Sequence, residues 1–223
     1  MTDESLRQPM VTIDWAEITA AAPATPLQQC GVLGDVSESE TLSLSQLTRL
    51  GLVRLNSLQP FEVLRSGLAA HNLPLSSGVN QCLGEDPSVL CLAPHEWLFF
   101  SEFLGPERLL AAILPAIDPD RSAVLDVTDA LAVFRLAGAA APWLLNKLCG
   151  LDLQGGAQTA PHCARTRLQD TPLTLHYRPA EGQTRRPVFD LLCDRSLARY
   201  TWELLLRSQP HAEELYRHHG SFS

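Results

Sequence analysis

Hydrophobic and polar positions begin to recur with a fixed period at Gly51. In Leu52-Val-Arg-Leu-Asn56, Val53 and Leu55 share one face and Arg54 and Asn56 the other, the period of two that predicts a half-buried strand. The period then lengthens. Pro60 suits the first turn of a helix, where its missing N–H costs nothing, and Phe61, Leu64 and Leu68 follow at helical spacing. The turn Gly84-Glu-Asp-Pro87 precedes two apolar strand-like runs, Ser88-Val-Leu-Cys-Leu92 and Trp97-Leu-Phe-Phe100, with Pro94-His-Glu96 between them. Gly105-Pro106 opens a second helix that carries Leu109, Leu110, Ile113 and Leu114 and stops at Pro115.

The same order returns further along. In Leu131-Ala-Val-Phe-Arg-Leu136, Ala132, Phe134 and Leu136 lie on one face and Val133 and Arg135 on the other. Gly138 and Pro142 lead into a helix with Leu144, Leu145, Leu148 and Leu151, and Gly150 offers its stop. Cys163–Leu168 and Leu173–Tyr177, joined by Gln-Asp-Thr-Pro172, read as a hairpin. After a polar loop from Pro179 to Arg186, Val188–Cys193 reads as a strand. Asp194 then caps a last helix bearing Leu197, Thr201, Leu204 and Leu205.

Two passes of strand, helix, strands, helix predict an α+β domain of antiparallel sheets with helices packed on one face, built by duplication. The boundaries expected are about 46–210 for the domain, its halves at about 46–120 and 121–210. Residues 1–45, with Ala20-Ala-Ala-Pro-Ala-Thr-Pro26 and Ser37-Glu-Ser-Glu-Thr41, read as an N-terminal arm or linker, and 211–223 as a C-terminal tail.

Charge narrows the classes of partner. The net charge is -8 over 223 residues, with no basic cluster beyond Arg185-Arg186, which argues against nucleic acid and anionic lipid. No run approaches the roughly 20 apolar residues of a membrane span, and Met1-Thr-Asp-Glu is no charged-then-apolar leader. A soluble cytoplasmic protein is expected. Six cysteines form no C-x-x-C, and Cys91, Cys149 and Cys193 sit in apolar runs, so buried reduced thiols are expected rather than disulfides or zinc. His218-His219 lacks a third ligand nearby.

Motifs for chemistry are sparse. Gly31-Val-Leu-Gly34 and Gly155-Gly156 lack phosphate-loop spacing, and there is no nucleophile elbow or H-E-x-x-H. His95 and Glu96 would point to opposite faces of a strand, and Pro94 argues for a turn there. Asp126 and Asp129 either form a carboxylate pair for proton transfer or amine binding, or hydrogen-bond the backbone of a turn. They are weak catalytic candidates. His162-Cys163 adjacency does not make a catalytic pair. Arg165 and Arg167 alternate onto what is expected to be the outer face, where two guanidinia can bind a carboxylate or salt-bridge a partner subunit. Pro94, His95, Trp97, Arg165 and Arg167 are the interface candidates; no cofactor or metal site is expected on the chain.

Several of these segments carry a resemblance. Leu92-Ala-Pro-His-Glu-Trp-Leu98 resembles a leucine-glycine-proline-aspartate-glutamate-tryptophan-leucine segment of the gamma subunit of heterotetrameric sarcosine oxidase. Asp126–Gly138, Leu144–Leu153, Cys163-Ala-Arg-Thr166, Phe189-Asp-Leu-Leu192 and Arg195–Trp202 are similar to that family's segments in order and spacing, over about residues 48–210. The resemblance implies the fold of the folate-binding domain of aminomethyltransferase and of the YgfZ proteins. The chain departs from those relatives: it is too short for the aminomethyltransferase's additional domain, and Lys147-Leu-Cys-Gly150 does not supply the lysine-glycine-cysteine-tyrosine motif of YgfZ.

The function implied is that of a non-catalytic subunit supporting a flavin-dependent oxidase or dehydrogenase of sarcosine or a related N-methyl amino acid, whose complex passes a one-carbon unit to tetrahydrofolate. By the same resemblance the partners are alpha, beta and delta subunits. FAD and FMN fall to beta, NAD and a folate site to alpha, and zinc to delta. A free-standing folate-binding protein or one-carbon transferase is the alternative, and an interaction module unrelated to amines a further one.

Overall fold

The computed structural model describes residues 36–151, 153, 162–178 and 187–220. Eleven strands fall into two antiparallel sheets. The first sheet is built around β3 (Gly51–Ser57), with β4 (Cys82–Leu83), β5 (Ser88–Ala93), β6 (Glu96–Ser101) and β7 (Ser122–Asp126), in the order β4-β5-β6-β3-β7. The second is built around β8 (Leu131–Ala137), with β1 (Val36–Glu38), β2 (Ser43–Leu47), β9 (His162–Leu168), β10 (Thr171–Arg178) and β11 (Val188–Asp194), in the order β1-β2-β8-β11-β10-β9. The helices are α1 (Phe61–Ala69), α2 (Pro106–Ile113), α3 (Ala141–Leu148) and α4 (Ala198–His219).

These orders make the duplication explicit. In the first sheet β3, α1, the hairpin β5–β6, α2 and β7 trace a split β-α-β unit, with β7 beside β3 and β6 on its other side. In the second, β8, α3, the hairpin β10–β11 and α4 trace the same path, but the strand beside β8 is β2, which comes from before the first half. Only one side of the arrangement crosses: β2 precedes β3 yet pairs with β8 in the second sheet, whereas β7 closes the first sheet beside β3 before β8 begins.

The sheets lie face to face with helices outside, four layers in all. Alternation decides which side chain goes where. Val53, Leu55, Val89, Trp97 and Phe99 pack under Leu64 and Leu68 of α1 and Leu109 and Ile113 of α2. Phe134, Leu136, Leu175 and Leu191 pack under Leu144 and Leu145 of α3 and Trp202 and Leu205 of α4. Leu52, Leu90, Leu98 and Phe100 from one sheet and Val133, Cys163 and Leu192 from the other fill the layer between. No helix among the described residues is long and apolar enough to cross a membrane.

The structure moves three expected boundaries. The arm expected over 1–45 already contains β1 and β2; its remainder, with Ala20–Pro26 and Gly31–Gly34, lies outside the described residues. Leu42 and Leu44 alternate with Ser43 and Ser45, and both leucines are fully buried, which makes β2 a half-buried strand. The division between halves falls after β7 rather than near residue 120, because β7 closes the first sheet. The tail expected from 211 is helix to His219: Ala212 is buried, and α4 continues past Pro210. Pro172 lies within β10 opposite Arg167, so the hairpin turn is Gln169-Asp170, with Gln169 at φ 50°. The Gly155-Gly156 turn and the Pro179–Arg186 loop lie outside the described residues.

Candidate functional site

Functional side chains gather in the layer between the sheets. Register aligns Ser45, Arg135, Asp190, His176 and Cys163 in one row across β2, β8, β11, β10 and β9, all on the face turned toward the other sheet. The facing sheet aligns Cys82, Leu90, Leu98, Arg54 and Leu125. A polar row thus lies inside an otherwise apolar layer.

Its centre is a closed ionic network. Arg135 Nε donates to Asp190 Oδ1 at 2.7 Å and its Nη2 to Oδ2 at 3.0 Å, while its Nη1 and Nη2 donate to Glu102 Oε2 and Oε1, each at 2.9 Å. Arg178 Nη2 donates to the same two carboxylates, at 2.8 Å to Glu102 and 2.6 Å to Asp190. Glu102 stands just beyond β6, where its backbone N–H donates to Asp86 Oδ1 at 2.7 Å. It therefore brings a charge from the first sheet to meet guanidinia on two strands of the second, β8 and β10. Bidentate guanidinium–carboxylate pairing is the strong form of this contact. Burial works against the charge on Arg135, but Asp190 and Glu102 outweigh it and hold the guanidinium above its ordinary value.

His176 extends the network. Both it and Asp190 are 0% exposed. Its Nδ1 lies 3.6 Å from Asp190 Oδ2 and its Nε2 is 3.4 Å from Cys82 Sγ. Burial alone would push the imidazole down; Asp190 and Cys82 outweigh it, and His176 is pushed up to about 9. The Phe100 ring meets it edge-on at 5.6 Å, and Arg178 stands over the same ring at 5.8 Å.

A second link joins the sheets on the other side of the apolar layer. Glu96 of β6 pairs with Arg165 of β9 and lies 3.7 Å from Arg54 Nε of β3. Arg165 and Arg167, expected on an outer face, are on the inner one. They share that face with Cys163 and Thr174, and both remain exposed, Arg165 even as it pairs with Glu96 of the facing sheet. Arg167 Nη2 donates to the Asp170 carbonyl at 2.9 Å. A shallow depression of about 210 Å³ opens here, lined by Arg165, Thr174, Pro172, Leu131, Leu192 and Asp194.

The remaining sequence candidates scatter. Pro94 and His95 form the exposed turn of the β5–β6 hairpin, with His95 at φ 65° and its carbonyl accepting from Ser57 N–H at 3.0 Å. Asp, Asn and His are the side chains best tolerated in that conformation, which gives the aspartate-to-histidine exchange in the resemblance a backbone reason. Trp97 is not surface: it is 3% exposed, stacks on Phe61 at 6.4 Å, and donates from Nε1 to the Ser76 carbonyl at 2.9 Å. Its ring points to the helix-side core. Asp126 Oδ1 accepts from Thr128 N–H at 2.9 Å, and Asp129, 91% exposed in its side chain, lies near Arg195. The two do not converge on a shared site.

Nucleophiles are withdrawn. Burial pushes the Cys163 thiol up to about 12 and that of Cys193 to about 11. Among the described residues no group of His, Cys, Asp and Glu is arranged to hold a metal ion. Asp190, His176 and Cys82 stand in the order of an acid–base relay, yet all three are buried beneath both sheets. The arrangement locks the two sheets together, with Asp190 and His176 fully buried and Arg178 and Glu102 partly exposed at its margin. Sequence reasoning missed Glu102, His176, Arg178 and Asp190. The available signal was a polar residue at an inner-face position of an apolar strand, as with Asp190 in Val188–Cys193.

No protein-family model matches the chain. Over 159 residues it is 29% identical to a protein of Corynebacterium sp. (strain P-1), sarcosine oxidase subunit gamma, covering 69% of this chain and 75% of that one. Its fold is similar to a chain of heterotetrameric sarcosine oxidase from Corynebacterium sp. U-96, solved in complex with pyrrole 2-carboxylate. That match has a TM-score of 0.71 and 21% identity, over 85% of this chain and 96% of that one. It is also similar to aminomethyltransferase T of the glycine cleavage system from Bartonella henselae, with a TM-score of 0.52 and 15% identity, over 74% of this chain but only 45% of that one. The expected α+β fold is thus shared with both.

Proposed function

We propose that this chain is a gamma-type, non-catalytic subunit of a multisubunit flavin-dependent oxidase or dehydrogenase acting on sarcosine or a related N-methyl amino acid. The observation that carries the reading is its likeness in sequence, over most of its length, to a sarcosine oxidase gamma subunit. Likeness of fold to aminomethyltransferase T does not by itself bring one-carbon chemistry, because function resides in the site rather than the fold. The site here supports assembly instead. Its charges pair internally, burial pushes the Cys163 thiol up, and the His176 imidazole is sealed between sheets.

In this reading flavin, NAD, zinc and tetrahydrofolate are carried by alpha, beta and delta subunits, and this chain contributes buried surface. Pro94, His95 and Arg167, exposed near one rim, are candidates for contact with them. Asp126 and Asp129 act as turn formers.

Co-expression with neighbouring genes and purification through a tag on this chain tests the proposal. Yellow, flavin-bearing partners should co-elute. A monomer that ignores them and binds tetrahydrofolate tightly overturns it in favour of a free-standing folate protein. Asp126→Ala and Asp129→Ala should leave turnover of the assembled complex within a few-fold; loss by orders of magnitude would make them catalytic.

A further inference from the structure

The four sheet edges are not alike. β4 is two residues long, β1 is three with Ser37 and Glu38, and β9 carries Arg165 and Arg167. Shortness and charge are the usual means of keeping an edge from pairing with another chain. β7 is blunted least: Ser122-Ala-Val-Leu-Asp126 runs five residues with no Pro, Lys or Arg, its one charge is Asp126 at its end, and its register against β3 runs without a bulge. Leu125 on this strand is 60% exposed, and Leu58, whose N–H donates to the Arg121 carbonyl at 2.8 Å beside the strand's start, is 73% exposed.

The ladder fixes which backbone groups are open. Val127 N–H donates to Leu52 O at 2.9 Å and Leu58 N–H to Arg121 O at 2.8 Å. Bonded pairs alternate in an antiparallel ladder, so Leu125 and Ala123 bond to Arg54 and Asn56, their partners in register. Ser122, Val124 and Asp126 consequently aim their N–H and C=O groups away from β3. Among the described residues no strand pairs with that side.

The internal duplication indicates what fits there. β2 is the counterpart of β7, and β2 has β1 on its outer side, antiparallel. Among the described residues the first sheet has no counterpart of β1. We propose that β7 is a docking edge, completed by an extended segment of a partner subunit that runs antiparallel to it, in the place β1 takes in the second sheet. This rests on the assembly reading above and names the surface that the assembly uses. Main-chain bonds supply the hold in such strand addition, and alternate side chains supply the choice of partner. Arg121 and Asp126, both exposed at opposite ends of the strand, call for an acidic residue facing the first and a basic residue facing the second, with an apolar residue beside Leu125.

Val124→Pro deletes one outward N–H and keeps the bonds of Ala123 and Leu125 to β3. Leu125→Lys puts a charge on the edge and leaves the backbone intact. In the co-expressed complex each should cut partner retention by roughly tenfold or more. The isolated Leu125→Lys chain should keep the circular dichroism and melting of the parent. In the unsubstituted complex the amides of Val124 and Asp126 should exchange with deuterium roughly tenfold more slowly than in the free chain. Full retention by both variants, with unchanged exchange at 124 and 126, overturns the docking edge and leaves the subunit reading standing. Failure of the unsubstituted chain to retain any partner overturns the subunit reading and this inference with it. Self-association of the isolated chain that Leu125→Lys abolishes assigns the edge to a second copy, and also overturns it.

Discussion

Asp190 accepts from two guanidinia while fully buried, and that makes it the most exacting single position in the molecule. Asp190→Ala strands Arg135 and Arg178 in the inter-sheet layer with one carboxylate between them. A loss of about 3–5 kcal/mol is expected, as for other broken buried pairs, read from the urea midpoint at constant m-value. His176 adds a dependence on pH. Its imidazole titrates near 6.5 when unfolded and is pushed up to about 9 when folded, so the folded state binds the proton more tightly. Its stabilisation is complete below about pH 6.5 and is lost as pH rises toward 9. Urea midpoints should fall across that window, and His176→Gln should flatten the fall. Neither residue was legible as important in the sequence. A buried charge looks like an exposed one when only the alternation is visible, and Arg165 was assigned to the wrong face for the same reason. Its guanidinium lies on the inner face, stays partly exposed, and pairs with Glu96 of the facing sheet.

At the scale of elements, local rules carried far. The period of two in β3 and β8 and the helical spacing in α1 and α2 fall where the structure has those elements, because their apolar faces are strict. β1 and β2 escaped because they are short and serine-rich, and α4 ran on past Pro210 because its far end is still packed through Ala212. One joint shows how tightly these elements meet. Gly138 ends β8 at φ +133°, and a Cβ there would lie 2.2 Å from the Thr41 carbonyl just before β2. Gly138→Ala should therefore cost about 1–3 kcal/mol from overpacking alone, and thermal denaturation should show it as a lowered Tm.

At the scale of the whole molecule, the repeated order of strands and helices was legible and the one-way exchange of β2 was not. Which sheet a strand joins is a non-local choice, made by β2 when it passes over β3 to pair with β8, and no local period encodes it. The exchange should make unfolding all-or-none, since the second sheet is incomplete without a strand threaded ahead of the first. Trp97 and Trp202 report separately on the two helix-side cores. Fluorescence from Trp97→Phe and Trp202→Phe variants should trace coincident urea transitions once each is scaled to its own stability; two resolved steps would contradict the exchange.

The first and last described elements bear on this. Ser37 Oγ donates to Gln209 Oε1 at 3.0 Å and Ser39 Oγ to Glu213 Oε1 at 2.7 Å, so β1 lies against α4. Joining residue 219 to residue 36 with a linker, and opening the chain in the turn after Asp126, would produce a circular permutant in which α4 is followed by β1 and β2. The second sheet would then be written by one continuous stretch of sequence, as the first already is, giving two tandem units in place of one clasped around the other. The spatial arrangement would be unchanged while that dependence disappeared, because the clasp belongs to the order in which the chain is threaded and not to the shape it threads.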